Sequence, residues 1–282
     1  MSNNKRLFLF AGYSSDGVLD DALVFYVKKL AKCGDVILCM DSNCPDAELN
    51  KVSKYTIARI GTRHCEYDFG SYKRAYEYAK NNKLLNKYDF VYMVNDSVYG
   101  PLHDIGTVLQ QMESKNTDAF GMVESRHTHY RHIQSWFIGM RKSVFLSTWF
   151  DEFIMSVKQL PHKYLITVLY ENKFTDILEE HGGTWYCPFI CRGRSVYNNP
   201  KRLFNLGCPF IKKMSFSRHN GAVGYQLNYV LNNCPTDARD AIISAANHVY
   251  SPEYISWLLT SNPISKFTRG IKYIFQKARN KQ

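Results

Sequence analysis

The sequence predicts an α/β fold on a mostly parallel sheet. Short apolar runs of strand length alternate with segments of helical periodicity through the first half of the chain, the pattern of β-α-β units. The 282 residues are 45% hydrophobic and 22% charged, an ordinary globular balance that excludes a disordered chain, a collagen or a coiled coil. The apolar runs are short, as at Leu7–Ala11 and Val36–Met40, whereas a bilayer-spanning helix needs about twenty such residues.

Arg6–Tyr13 reads as a buried first strand. Gly17–Lys32 follows as a helix, with Leu19, Leu23, Tyr26, Val27 and Leu30 at helical spacing and Gly34 as its stop. Asp35–Met40 is a second buried strand ending at Asp41-Ser42, and Tyr55–Ile60 a weaker third. Ser71–Lys80 is helical, with Tyr72, Ala75, Tyr76 and Ala79 on one face. Asp89–Val94 is a fourth strand that ends at Asn95-Asp96-Ser97, Ile105–Ser114 a helix, and Asp118–Val123 a fifth strand. Open parallel sheets bind ligands beyond the carboxyl ends of their strands, which places Gly12-Tyr13, Asp41-Ser42, the segment after Ile60 and Asn95-Asp96-Ser97 at the expected site.

The second half is less regular. His132–Met140 reads as a strand, Lys142–Phe153 as a helix capped by Ser143, Lys163–Glu180 as a helix and Thr184–Ile190 as a strand. Beyond about Pro200 the pattern becomes loops and short helices. There is no internal repeat and no linker. The expected organisation is one domain over residues 1–215 and a C-terminal extension over 216–282.

The net charge of +11 favours an anionic partner: nucleic acid, a lipid surface or a phosphorylated small molecule. Aromatic residues at 15%, twenty of them tyrosine, suit stacking on planar or sugar rings. The eight cysteines include no CxxC pair, and Cys187 and Cys191 lie four apart beside an apolar strand, so free thiols are expected rather than zinc ligands. With a polar start and no secretory apolar stretch, the expected location is the cytoplasm.

Five segments carry chemistry. Glu66–Arg74 opens a helix, where free N–H groups and the dipole attract anions, and Gly70 would let a ligand approach the backbone. Lys73 and Arg74 cost roughly 0.3–1 kcal/mol against that dipole, a conflict a bound phosphate removes; an Asp68 N-cap with solvated cations is the plain alternative. In Val94–Leu102 an apolar strand runs into Asp96, which can hold a divalent cation bridging a diphosphate or merely form an Asx turn. No second carboxylate follows two residues on, so an Asp-x-Asp clamp is incomplete. His127, His129 and His132 have spacings that suit no common metal site, and a loop presenting His132 and Gln134 to substrate is the better reading. Glu171 shares a helix face with Thr175 and is either a general base for a sugar hydroxyl or a solvated carboxylate. Tyr254–Gln282 reads as a basic amphipathic helix, on an anionic leaflet or packed on the core.

Phe10-Ala11-Gly12-Tyr13, Tyr67-Asp68-Phe69-Gly70-Ser71-Tyr72-Lys73, Asn95-Asp96-Ser97-Val98-Tyr99-Gly100-Pro101-Leu102, His132-Ile133-Gln134-Ser135-Trp136-Phe137 and Tyr170-Glu171 stand in that order. Together they resemble the rhamnan synthesis protein F family of bacterial polysaccharide glycosyltransferases over roughly residues 6–215. The resemblance implies a GT-A-like fold, a nucleotide-sugar donor carrying dTDP, UDP or GDP, and transfer of rhamnose or a related hexose to a surface polysaccharide such as O-antigen, capsule or rhamnan. It implies donor contacts from Tyr13, Asp68, Gly70, Lys73, Asn95, Asp96 and Ser97, and Mg²⁺ or Mn²⁺ on Asp96. It further implies Glu171 as the base of an inverting displacement, and acceptor or sugar contacts from His132, Gln134 and Trp136. Trp136 departs from the smaller aromatic expected there. The implied acceptor is a lipid-diphosphate-linked glycan at the inner membrane face, with the basic tail on the anionic surface.

Two other classes compete. A catalytically inactive glycan- or nucleotide-binding relative would keep the fold without turnover. A nucleic-acid-binding protein would need a basic stripe interleaved with aromatics, and the basic residues outside the tail are spread out, so no nucleic-acid partner is expected.

Overall fold

A computed structural model describes residues 4–126, 130–217 and 221–260. In chain order the strands are β1 (Arg6–Gly12), β2 (Asp35–Met40), β3 (Ala58–Gly61), β4 (Phe90–Asn95), β5 (Val98–Tyr99), β6 (Ala119–Gly121), β7 (Val123–Arg126), β8 (Arg131–Ile133), β9 (Phe137–Arg141), β10 (Trp185–Tyr186), β11 (Phe189–Arg192) and β12 (Ile211–Lys212). The chain forms two compact units: one takes residues up to Leu19, Tyr26–Asp96 and Ile105–Cys191, the other Asp20–Phe25, Ser97–Asp104 and everything from Arg192 onward. This partition does not coincide with a division at residue 215. Pairing of β5 with β12 draws residues near 98 into one unit with residues near 211.

The first unit is built on a seven-stranded sheet of order β10-β6-β9-β4-β1-β2-β3. Only β9 runs against its neighbours, so the sheet is mostly parallel, as the sequence predicts. Leu7 to Ala11 of β1 are fully buried between β2 and β4. Burial on both faces is why these strands read as continuous apolar runs rather than as alternation. Gly34 stops the helix Asp21–Leu30 and lies so close to β1 that a Cβ there would come within 2.5 Å of the Arg6 carbonyl oxygen. At the amino end of β1, Arg6 Nε and Nη2 donate to Glu113 at 2.5 and 2.7 Å, and the buried Tyr92 hydroxyl donates to the same carboxylate at 2.6 Å. Removing one partner of such a buried pair costs about 3–5 kcal/mol, which makes this end of the sheet structural.

Two predicted strands each divide. Asp118–Val123 becomes β6 and β7, and His132–Met140 becomes β8 and β9, because β7 and β8 leave the main sheet to pair with each other in a three-stranded sheet with β11. The break at Gln134–Trp136 is fixed by Gln134 N–H donating to the Val123 carbonyl at 2.9 Å. The helix expected over Lys142–Phe153 divides into Lys142–Phe145, which follows Arg141 and is not capped by Ser143, and Thr148–Met155, where Ser147 Oγ accepts from Phe150 N. The helix expected over Lys163–Glu180 contains a π turn at Thr167–Glu171, closed by Asn172 N–H on the Thr167 carbonyl. Such turns recur at functional sites, and this one carries Glu171.

In the second unit, β5 and β12 pair antiparallel. The loops expected beyond Pro200 include two long helices, Gly221–Asn233 and Thr236–Tyr250, with a shorter one at Pro252–Leu259. Val223, Leu227, Val230 and Leu231 supply one buried face, and Ala238, Ile242, Ala245 and Ala246 another. The stretch expected as a basic amphipathic helix, Tyr254–Gln282, lies outside the described residues from Ser261 on. Among the described residues no helix is long and apolar enough to cross a membrane. All eight cysteines are free thiols, and burial pushes Cys39 up to about 11.

Candidate active site at the carboxyl ends of β1, β2 and β4

The carboxyl ends of the three central parallel strands meet in one polar cluster. After β1, Tyr13 is half exposed, and its N–H faces Asp96 Oδ2 at 3.5 Å. After β4, Asp96 N–H donates to the Ala11 carbonyl at 3.1 Å. The loops after β1 and β2 are tied together by Ser42, whose hydroxyl accepts from Ser14 N at 2.8 Å and donates to the Ser14 carbonyl at 2.6 Å.

The principal organiser is Asp41, the buried residue that ends β2. Its carboxylate accepts the backbone N–H groups of His64 and Cys65 at 2.8 Å each and of Tyr67 at 3.2 Å. The Arg63 guanidinium adds an ion pair at 3.2 Å and a bond to the Asp41 carbonyl at 2.7 Å. The loop so held is strained: Cys65 and Tyr67 have φ of 60° and 57°. Left-handed non-glycine residues cost about 1–2 kcal/mol each and persist only where the surroundings over-determine them. The strain starts the helix Tyr67–Asn81 four residues earlier than the Ser71 start expected from the apolar face. Arg63 lies over the Tyr13 ring with its guanidinium carbon 5.1 Å from the centroid, so an exposed ring and a cation stand together beyond β1.

His64 Nε2 is 3.0 Å from Ser71 Oγ, and His64 Nδ1 is 3.5 Å from Asp41 Oδ1. Burial pushes this imidazole down to about 4, against the pull of Asp41 and with the help of Arg74, so it is neutral at pH 7. His64 Nδ1 accepts from the Glu66 N–H at 3.2 Å, so the neutral ring does not donate to Asp41, and with Ser71 1% exposed the Ser71-His64 pair is structural and not a catalytic triad.

The structure joins the two acidic motifs directly: Asn95 Nδ2 donates to Asp68 Oδ2 at 2.8 Å, with Asn95 itself buried. Asn95 N–H donates to the Trp136 carbonyl at 3.1 Å, and the Tyr72 hydroxyl to the Ser135 carbonyl at 3.3 Å. The 134–136 turn is therefore anchored to the same cluster. Burial raises the Tyr72 phenol far above its usual range, and the Asp68 carboxylate adds to the rise while the Asn95 side chain opposes it. Glu171 is half-buried and makes no hydrogen bond or ion pair among the described residues. Its neighbour Tyr170 stacks on Phe69 at 5.8 Å, fixing the π turn against the helix that carries Asp68.

Some expected site residues do other work. Gly70 is buried inside its helix with its N–H bonded to the Glu66 carbonyl at 3.2 Å; a Cβ there would meet Glu66 Cβ at 2.2 Å. It is a packing glycine, not a cradle for phosphate. Lys73 Nζ donates to the Val157 carbonyl at 2.7 Å, which explains how a cation is tolerated in the second turn without any anion. Trp136 is buried, and its indole N–H holds Gln134 Oε1 at 2.6 Å, so the indole sets the Gln134 side chain. His132 stacks on Tyr130 at 5.0 Å, and Tyr130 in turn donates to the Asn172 carbonyl next to Glu171. His127 and His129 lie outside the described residues. Ser97 belongs to the second unit, where the Lys212 ammonium donates to its hydroxyl at 3.0 Å.

No group of three or more His, Cys, Asp or Glu that could cage a metal occurs among the described residues. Sequence reasoning placed Asp41 and the segment after Ile60 at the strand ends but gave Asp41, Arg63 and His64 no individual role; the available signal was an aspartate directly after the apolar run Val36–Met40.

The family model for rhamnan synthesis protein F matches residues 36–278, against the expected 6–215: it extends further toward the C-terminus and begins after the Phe10–Tyr13 segment. No curated protein sequence matches the chain. Among solved structures, the mannosyltransferase Ktr4p of S. cerevisiae aligns at 10% identity and a TM-score of 0.38 over 62% of this chain and 64% of its own, less than two thirds of the yeast protein's length. A glycosyltransferase involved in glycosylation of the major capsid of PBCV-1 aligns at 8% identity and 0.38 over 74% and 93%. The nucleoside-diphosphate-sugar pyrophosphorylase of Vibrio cholerae aligns at 13% identity and 0.40 over 66% and 92%.

Proposed function

This chain belongs to the rhamnan synthesis protein F family; from that premise we propose that it is a glycosyltransferase of polysaccharide synthesis, one that transfers rhamnose or a related hexose from a nucleoside diphosphate to a growing cell-surface glycan with inversion. Tyr13, backed by Arg63, offers a ring on which the nucleobase stacks. Asp68 is oriented by Asn95 toward the ribose or diphosphate end of the donor. Asp96 is the residue that would hold Mg²⁺ or Mn²⁺, which supplies neutralisation of charge on the departing diphosphate.

Glu171 accepts the proton of the acceptor hydroxyl while that oxygen bonds to the anomeric carbon. The bond from that carbon to the diphosphate oxygen breaks, and its electron pair leaves with the nucleoside diphosphate. One positioned base contributes roughly 10²–10⁴-fold. Gln134, fixed by Trp136, and His132 contact the sugar or acceptor. The acceptor is a lipid-diphosphate-linked glycan at the inner membrane face, to which the basic segment beyond Ser261 is drawn.

The observation that carries this reading is the 2.8 Å bond between Asn95 and Asp68, which brings the two acidic motifs to one strand end. Its test is Glu171→Gln. Turnover of nucleotide sugar should fall by about 10²–10⁴-fold while the donor Kd, measured by calorimetry, stays within a factor of two or so of the parent. Near-parental turnover would remove Glu171 from the reaction.

A further inference from the structure

The loops that follow β1, β2 and β3 are tied together by one residue, Arg63. Its side chain lies over the Tyr13 ring, with the guanidinium carbon 5.1 Å from the centroid, and its backbone N–H donates to Asn43 Oδ1 at 2.9 Å. Asp41 holds Arg63 in turn, through an ion pair at 3.2 Å and its carbonyl at 2.7 Å. The first two loops are also joined directly. Asp41 N–H donates to the Gly12 carbonyl at 2.8 Å, and the Ser42 hydroxyl makes its two bonds to the Ser14 backbone. Neighbouring strands lie about 4.8 Å apart, so Asn43 emerges beside the loop that carries Tyr13.

The bond from Arg63 sets which way the Asn43 amide is turned. A backbone N–H needs an acceptor, so the carboxamide oxygen must face it and the NH₂ takes the other side. Asn43 is exposed, and its Nδ2 makes no hydrogen bond among the described residues. Two donors on a fixed amide therefore stand at the rim, beside a half-exposed ring backed by the same arginine.

We propose that Asn43 selects the nucleobase of the donor by donating from Nδ2 to a keto oxygen on the pairing edge of the base, O4 of uracil or thymine or O6 of guanine. Cytosine and adenine carry an amino group at the equivalent position and would set donor against donor. A site built to hydrogen-bond one group rejects an analogue without it, because a polar group then loses its partner on binding. This selection rests on Tyr13 stacking the base, as proposed above, and adds what meets the edge of that base. Asn43 is a specificity residue and takes no part in the transfer at Glu171.

The test is calorimetric titration of the full chain with UDP, CDP, GDP and ADP, each with Mg²⁺. The parent should bind its preferred keto nucleotide about tenfold more tightly than the amino counterpart of the same ring size, UDP against CDP or GDP against ADP, the worth of one hydrogen bond. Asn43→Ala should bring that ratio to about one. Asn43→Asp keeps an oxygen for the Arg63 N–H but puts an acceptor where the NH₂ stood, so the ratio should invert; its added charge weakens keto and amino nucleotides alike and cancels in the ratio. Tyr13→Ala tests the stacking ring separately and should weaken both members of the pair. A parent ratio near one, or a parental ratio in Asn43→Ala or Asn43→Asp, would overturn the assignment of Asn43, and a loss in Tyr13→Ala would then leave the stacking ring standing. Undiminished binding in Tyr13→Ala would overturn the stacking ring and the role of Asn43 with it.

Discussion

Replacing Asp41 by Asn isolates the charge that assembles the loop between β3 and the helix Tyr67–Asn81. The carboxylate receives three backbone N–H groups at 2.8, 2.8 and 3.2 Å and an ion pair from Arg63 at 3.2 Å. An asparagine keeps one oxygen for the His64 and Cys65 amides but turns an NH₂ toward the Tyr67 N–H and the Arg63 guanidinium. A buried donor left facing donors costs about 1–3 kcal/mol, and the two retained bonds weaken from charge-assisted to neutral strength, about 1 kcal/mol each. The sum, about 3–5 kcal/mol, is as large as the roughly 2–4 kcal/mol that the left-handed Cys65 and Tyr67 cost together. The loop should therefore relax even where the domain stays folded. Urea unfolding should report the stability loss, and calorimetric titration with nucleoside diphosphate a weaker Kd, because Arg63 no longer backs Tyr13. A stability change below about 0.5 kcal/mol with an unchanged Kd would refute the claim that this carboxylate preorganises the site.

Two further outcomes follow from the same geometry. Tyr13→Ala should weaken nucleotide binding by about 1–3 kcal/mol, the range of aromatic–base stacking, with little change in melting temperature; equal Kd values for parent and variant would exclude a base on that ring. His64 titrates at about 4 when folded, below its unfolded value near 6.5, so the unfolded chain binds more protons between these pH values. This contribution to stability is complete above about pH 6.5 and is lost as pH falls toward 4, by about 3 kcal/mol at most. His64→Gln should flatten that part of the urea-midpoint profile, and an unchanged slope would contradict the assignment.

The central strands were legible because each is buried on both faces, so local composition alone announces it: Leu7–Ala11 and Ile37–Met40 are entirely inaccessible. The breaks within Asp118–Val123 and His132–Met140 were not, since they exist only because β7 and β8 find each other and a separate sheet. The Tyr67 start of its helix was hidden for the same reason: it is set by Asp41, which lies 26 residues earlier in the chain. Gly70 and Lys73 looked like phosphate contacts on spacing, but their partners, Glu66 and Val157, depend on packing the sequence does not print. The helices over 221–250 escaped because their buried faces are built partly from alanine, and Asn-rich composition masks the period. What did transfer from sequence to structure was the placement of Tyr13, Asn95 and Asp96 at neighbouring strand ends, a consequence of parallel topology.

The account rests on a diphosphate bound at those strand ends, and thermal denaturation with dTDP, UDP and GDP, each with and without Mn²⁺, tests it most directly. One nucleotide should raise the midpoint of the parent, since a ligand at a hundred times its Kd stabilises the folded state by about 2.7 kcal/mol, and Asp96→Ala should abolish the Mn²⁺-dependent part of the rise. No shift with any of the three, or an undiminished shift in Asp96→Ala, would contradict it.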